Sequence, residues 1–235
     1  MIHVCAVEMP ARFDRRAEAL RDVGRWLAAG PAPDLVLLPE ASLDGYVSPR
    51  LDFDLTRFAE SADGPAAASL AGLARAHGCT LAGPLVERDG DAFYNAVSVF
   101  GPDGARVAHY RKRHPWIPET WATPGDRPPP VFDVKGARVT IAICFDVHFV
   151  AGDAADALRA ADVLLFPSAW VDDDGDARAE ILPELARRFD VGIVNANWGV
   201  GEPAVRGQGR SRVVRRDGST LAVARGPGRV EARLA

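Results

Sequence analysis

Lysine is almost missing from this chain: Lys112 and Lys135 are the only two among 28 basic residues, the rest being arginine. The basic residues form no dense stripe, and 32 acidic residues outnumber them for a formal net charge of −4. The electrostatic footprint of a nucleic-acid or anionic-membrane binder is therefore lacking, and neither partner is expected. Long apolar runs are missing too. The longest, Leu35-Val36-Leu37-Leu38 and Val163-Leu164-Leu165-Phe166, fall far short of the roughly 18 residues needed to span a bilayer. The first residues meet charge at Glu8 and Arg12, before a signal-peptide core of about 7–15 apolar residues can form. A cytoplasmic location is the expectation. Cysteine is scarce, with Cys5, Cys79 and Cys144 widely spaced. An odd, scattered set fits neither a disulfide framework nor a zinc knuckle, and suits free thiols in a reducing compartment.

What the chain does have is ordinary globular material, 48% hydrophobic and 26% charged over 235 residues. That is enough for one sizeable core, and residues 1–235 read as a single domain without linker, repeat or low-complexity tract. Short β-branched or Leu-rich runs predict strands at Ile2–Val7, Leu35–Leu38, Thr80–Val86, Ala96–Phe100, Val107–Tyr110, Val139–Ile143, Val163–Phe166 and Gly192–Asn197. Hairpin-like pieces follow near Arg212–Arg215 and Leu221–Arg225. Helical spacing marks Phe13–Ala29, a second helix opening at Asp63-Gly64-Pro65, and a third over Glu184–Asp190 that starts at or just after Pro183. Asp-Gly turns at Asp89-Gly90, Asp103-Gly104 and Asp217-Gly218 separate strands. The class is α/β or α+β.

Three chemically capable residues fall just past strand ends: Glu40 after Leu35–Leu38, Lys112 after Val107–Tyr110, and Cys144 after Val139–Ile143. Ligands gather outside the carboxyl ends of strands, so the three converge if their strands lie side by side. Together they support one chemistry. A free thiol has a pKa of about 8.5 and needs a base or cation to attack at neutral pH. Glu40 can take the thiol proton and return it to a leaving amine. Lys112 and backbone amides just after Cys144 can hold the charge of a tetrahedral intermediate. No cofactor is required.

Five segments in order carry a family likeness: Leu38-Pro39-Glu40 with Gly45-Tyr46, then Tyr94-Asn95, Tyr110-Arg111-Lys112, Ile143-Cys144-Phe145-Asp146, and Pro167-Ser168-Ala169-Trp170. In these the chain, from Val4 to about Ala224, resembles the nitrilase (carbon–nitrogen hydrolase) superfamily. The resemblance implies a four-layer α-β-β-α sandwich, and a homodimer or larger homo-oligomer. It assigns Glu40 as general base, Lys112 as stabiliser of the intermediate and Cys144 as nucleophile. Glu119 looks like the further glutamate that many members carry, orienting the lysine and the substrate amide. Asp146, two after the cysteine, is similar to the amidase branch, which points to a small amide or N-carbamoyl substrate. Tyr46, Trp116, Phe145, His148 and Trp170 are the expected substrate contacts. His148 takes the place where many relatives carry an arginine that meets a substrate carboxylate.

Other readings stay open. Nitrile hydrolysis or acyl transfer would use the same residues, and a binding module could keep the fold without turnover. A metal site would have to draw on Cys144, His148, His109 and His114, without the second paired motif that zinc needs. The chain also departs from the family pattern. Val150-Ala151-Gly152 replaces the usual Pro-Glu, so the next helix is expected to pack differently. Glu8 stands where glutamine is frequent, Ala186-Arg187-Arg188-Phe189-Asp190 replaces the common Arg-Ala-x-Glu-Asn, and little chain follows Leu221–Arg225.

Overall fold

A computed structural model describes residues 1–171 and 175–234. In chain order the elements are β1 (Ile2–Pro10), α1 (Arg16–Ala28), β2 (Leu35–Leu37), α2 (Pro65–His77), β3 (Thr80–Asp89), β4 (Ala92–Phe100), β5 (Arg106–Arg111), β6 (Phe132–Val134), β7 (Ala137–Ile141), α3 (Val150–Asp153), α4 (Ala155–Ala160), β8 (Val163–Ser168), α5 (Arg178–Phe189), β9 (Gly192–Gly199), β10 (Arg212–Val214), β11 (Thr220–Val223) and β12 (Gly228–Leu234).

The strands form two halves of six, β5-β4-β3-β2-β1-β12 and β6-β7-β8-β9-β10-β11. A single crossing joins them. Along Ile2–Glu8 one edge of β1 pairs with β12, and at Met9 and Pro10 the strand pairs with Trp198 and Gly199 of β9. Period-two alternation then sorts the side chains. Ile2, Val4, Ala6, Leu35 and Leu37 pack in one cluster with Ile141, Leu164 and Phe166 of the other half. The intervening Cys5, Val7 and Val36 face outward against Val23 and Leu27 of α1 and Leu70 and Ala74 of α2. Leu182, Ala186 and Phe189 of α5 pack beside β8 and β9. The result is the α-β-β-α sandwich. Among the described residues no helix is long and apolar enough to cross a membrane.

Every predicted strand is present, and four places differ, the first being the short strand β6, Phe132–Val134, which no sequence signal marked. The third helix begins at Arg178, five residues before Pro183, which lies inside it. An interior proline costs about 3 kcal/mol, but Leu182, Leu185, Ala186 and Phe189 form one buried stripe that spans it and sustains the helix. Past Leu221–Arg225 the chain makes a further strand, β12, antiparallel to β1. It is obscured in the sequence by three charged residues, Arg229, Glu231 and Arg233, and only Val230 and Leu234 are buried. After Cys144, where a differently packed helix is expected, the backbone makes a 3₁₀ turn over Cys144–His148 and then two short helices, α3 and α4.

Candidate active site

Glu40, Lys112 and Cys144 do meet, but not from neighbouring strands. Between β2 and β5 lie β3 and β4, and β7 belongs to the other half of the sandwich. The site is built across the two sheets, where the loops after β2, β5 and β7 face each other. Each loop is held in shape. Ala41 takes a positive φ of 49° directly after Glu40. Lys112 is clamped at both backbone ends, its N–H donating to Asn95 O (2.8 Å) and its carbonyl accepting from Gly125 N (2.8 Å).

Cys144 has φ 44°, a left-handed conformation that costs an L residue about 1–2 kcal/mol. Asp146 maintains it. Its Oδ2 accepts from the backbone N–H of Ile143 (3.0 Å) and the hydroxyl of Tyr110 (2.9 Å), and its Oδ1 accepts from the N–H of His114 (2.9 Å). One buried carboxylate thus ties the cysteine turn to the strand that delivers the lysine.

The charges are tightly knit. Lys112 Nζ donates to Glu40 Oε1 (2.7 Å) and to Glu119 Oε1 (2.7 Å) and Oε2 (3.0 Å), with all three side chains sealed from solvent. Burial works against the ammonium, but the two carboxylates outweigh it and lift its pKa above the ordinary lysine value. Burial raises the pKa of Glu119, against the opposing pull of Lys112. Tyr46 donates its hydroxyl to Glu119 Oε1 (2.7 Å). Glu40 has two further donors, Asn95 Nδ2 on Oε1 (2.7 Å) and the backbone N–H of Ala169 on Oε2 (2.9 Å). The Cys144 thiol is pushed well above its ordinary range, first by burial and then by the Glu40 charge, while Lys112 and the Ala169 N–H pull it down. At neutral pH the resting sulfur is a thiol with a base and a cation close by.

The sulfur opens onto a cavity of about 200 Å³ lined by Tyr46, Trp116, Cys144, Phe145, His148, Ala169, Trp170 and Val171. All five expected substrate contacts are on its wall. Tyr46 packs edge-on to Trp198 and Phe53, and Phe53 to Trp116, so the aromatic wall is continuous. His148 lies 5.1 Å from the Phe145 ring and 5.9 Å from the Trp170 ring, and burial lowers its pKa, which leaves the imidazole neutral at pH 7.

The other histidines are elsewhere. His109 pairs with Glu87 and Ser98, while His114 stacks on Phe149 and meets Asp153. Among the described residues no group of three or more His, Cys, Asp or Glu side chains is arranged to hold a metal ion. Cys5 and Cys79 are buried in the layer between sheet and outer helices. Two contributors escaped the sequence reading. Asn95 was visible in the Tyr94-Asn95 segment, but its bond to Glu40 is not. The Ala169 N–H carries no side-chain signal at all.

A family model described as "Carbon-nitrogen hydrolase" matches residues 11–227. Among curated proteins, the "Hydrolase in pqqF 5'region" of Pseudomonas protegens is 31% identical over 198 residues, covering 81% of this chain and 67% of that one. An omega-amidase of Xenopus laevis is 31% identical over 175 residues, covering 69% of this chain and 61% of its own length. This chain thus aligns with about two thirds or less of these relatives. Among solved structures, a cysteine-to-alanine mutant of the Nesterenkonia AN1 amidase from the nitrilase superfamily superposes with a TM-score of 0.85 at 25% identity, covering 98% of this chain and 89% of that one.

Proposed function

Because this chain belongs to the carbon–nitrogen hydrolase family, we propose that it hydrolyses a small carboxamide through a thioester on Cys144. The observation that carries the reading is the sharing of one buried ammonium, Lys112, between Glu40 and Glu119 beside a thiol that opens onto an aromatic cavity. The proposal extends to residues 1–235 acting as one catalytic domain.

In the proposed sequence, Glu40 takes the proton from Cys144 Sγ as sulfur bonds to the amide carbon and the carbonyl electron pair moves onto oxygen. Lys112 and nearby backbone N–H groups hold that oxyanion. Glu40 then passes the proton to nitrogen, the C–N bond breaks and ammonia leaves. Water, giving a proton to Glu40, attacks the thioester; the C–S bond breaks and the thiolate recovers the proton. Glu119 touches both the lysine and Tyr46, and its part is to orient the ammonium and receive the substrate NH2.

The cavity supports a small, uncharged acyl group. Its walls are aromatic and aliphatic, and His148, its one basic lining residue among those described, is neutral at pH 7. The site's one buried lysine is already claimed by two glutamates. A substrate carboxylate would be desolvated there without a cation, at a cost of several kcal/mol.

The test is ammonia release from a panel of aliphatic amides, N-carbamoyl compounds and nitriles, with hydroxylamine as an added acyl acceptor. The reading requires amide turnover by the wild type and its loss in Cys144→Ala. No amide turnover, or the same rate in the variant, overturns it. Preference for nitriles, or hydroxamate formed to the exclusion of acid, would assign the alternative chemistries instead.

A further inference from the structure

Arg178 is the largest side chain that the fold buries completely, and nothing in the chemistry above uses it. It opens α5, the end of a helix where a positive charge is least welcome. Burial pushes its pKa down to about 10, against the attraction of Asp176. A group this costly to bury persists where its contacts demand it, and these contacts lead to the candidate site.

Nη1 of Arg178 donates to Asn195 Oδ1 (3.0 Å), and Nη2 donates to the carbonyls of Gly209 (2.9 Å) and Gly207 (3.2 Å). Asp176, 3.4 Å away, is shared with Arg212. Asn195, so oriented, donates Nδ2 to Phe166 O (2.8 Å) and Ser168 Oγ (3.0 Å). The Ser168 hydroxyl donates in turn to Asn197 Oδ1 (3.0 Å), which also accepts from the N–H of Trp170 (2.9 Å). Asn197 Nδ2 returns to the same Gly207 and Gly209 carbonyls, both at 2.8 Å. The closed network grips Ser168 and Trp170 and leaves the residue between them, Ala169, with its N–H on Glu40 Oε2 at 2.9 Å. Trp170 walls the cavity, and the guanidinium carbon of Arg178 lies 6.0 Å from its ring centroid.

We propose that Arg178 is a positioning residue for the reaction: through Asn195 and Ser168 it sets the Ser168–Trp170 segment, and with it the Ala169 N–H that meets Glu40 and Cys144 and the Trp170 wall of the cavity. Lysine cannot replace it, because one ammonium cannot reach Asn195 and both glycine carbonyls in the flat fork that a guanidinium presents. The proposal rests on the Cys144 reading above.

The experiment compares wild type, Arg178→Met and Arg178→Lys, each shown to fold by circular dichroism and a single unfolding transition. Two readouts are taken on folded protein: kcat and KM for the best amide, and the rate at which iodoacetamide alkylates Cys144, followed by peptide mass. Misplacing a reacting group by about 1 Å costs up to roughly a hundredfold, so Arg178→Met is expected to lose roughly ten- to a hundredfold in kcat. Cys144 alkylation should slow several-fold, and Arg178→Lys should lie between. A residue that only supports the fold would lower the melting temperature and leave both rates at wild type in the folded variant. That result overturns the proposal. Should Arg178→Met fail to fold, Arg178→Lys carries the test, and wild-type rates there overturn it equally. The alkylation rate does not require an amide substrate, so failure of the amidase reading and failure of this one are told apart.

Discussion

Glu119 binds the ammonium of Lys112 through both carboxylate oxygens, at 2.7 and 3.0 Å, although the two residues are only seven apart in a loop without regular structure. The same Oε1 accepts the Tyr46 hydroxyl, so a single carboxylate fixes both the cation and one wall of the cavity. The lysine is left with a third short bond to Glu40 and no contact with solvent.

That packing makes Lys112 irreplaceable by the residue this chain otherwise prefers. A guanidinium is a broad planar fork, whereas the site is shaped for a compact ammonium with three donors. Lys112→Arg keeps the net charge of −4 and the fold but is expected to lose at least about a hundredfold in kcat/KM, the scale of removing one oxyanion donor. Steady-state ammonia release with circular dichroism as control checks it. Turnover at the wild-type level would make Lys112 merely a charge.

The three thiols should be told apart by access rather than by acidity. Burial raises the pKa of all three, Cys5 to about 12 and Cys79 to about 11. Only Cys144 lines the cavity. Iodoacetamide at pH 8 is expected to modify Cys144 first, with Cys5 and Cys79 labelled only on unfolding. Equal slow labelling of all three, read by intact mass, would contradict an accessible nucleophile.

Asp146→Asn is expected to be far from conservative. Its two oxygens accept from Ile143, Tyr110 and His114. An amide turns one acceptor into a donor, which must then face an N–H or O–H whatever way it is flipped. Leaving such buried donors unmet costs about 1–3 kcal/mol. For a domain of this size each kcal/mol is worth about 2–4 °C. Calorimetry should show that drop, and Cys144 alkylation should slow because the turn that holds it loosens.

Acid sensitivity should trace partly to Glu87. Burial alone would raise its pKa, but His109 and Arg111 hold it down, from the ordinary 4.5 to about 2. A carboxylate with a depressed folded pKa adds stability that is fully present above pH 4.5 and fades as pH falls toward 2. Glu87→Gln is therefore expected to lower the urea midpoint at neutral pH and to flatten its decline across that window. An unchanged slope between wild type and variant would remove Glu87 from the account.

Much of the strand content was legible because buried strands read as short β-branched or Leu-rich runs. β2 and β8 are examples, with every residue buried. β12 was not legible, since Gly228–Leu234 is mostly half-exposed and carries Arg229, Glu231 and Arg233, and it is a strand only because β1 offers it an edge. Pro183 misled for the opposite reason: its local preference is for the first turn, but the buried stripe on either side extends the helix through it.

By itself, the sequence determined which chemistry is on offer: a lone lysine in an arginine-rich stretch, a glutamate and a cysteine, each placed where a predicted strand ends. Residue type and local order decide such things. Tertiary structure decided how they meet. Convergence across two sheets, the pairing of Lys112 with two carboxylates and the aim of the Ala169 N–H toward Glu40 depend on contacts between residues up to 129 positions apart. Arg178 shows the same division. In sequence it is one arginine among 26, and only the closing of β8, α5 and β9 around it turns a surface residue type into a buried fork that holds Ser168–Trp170 in place.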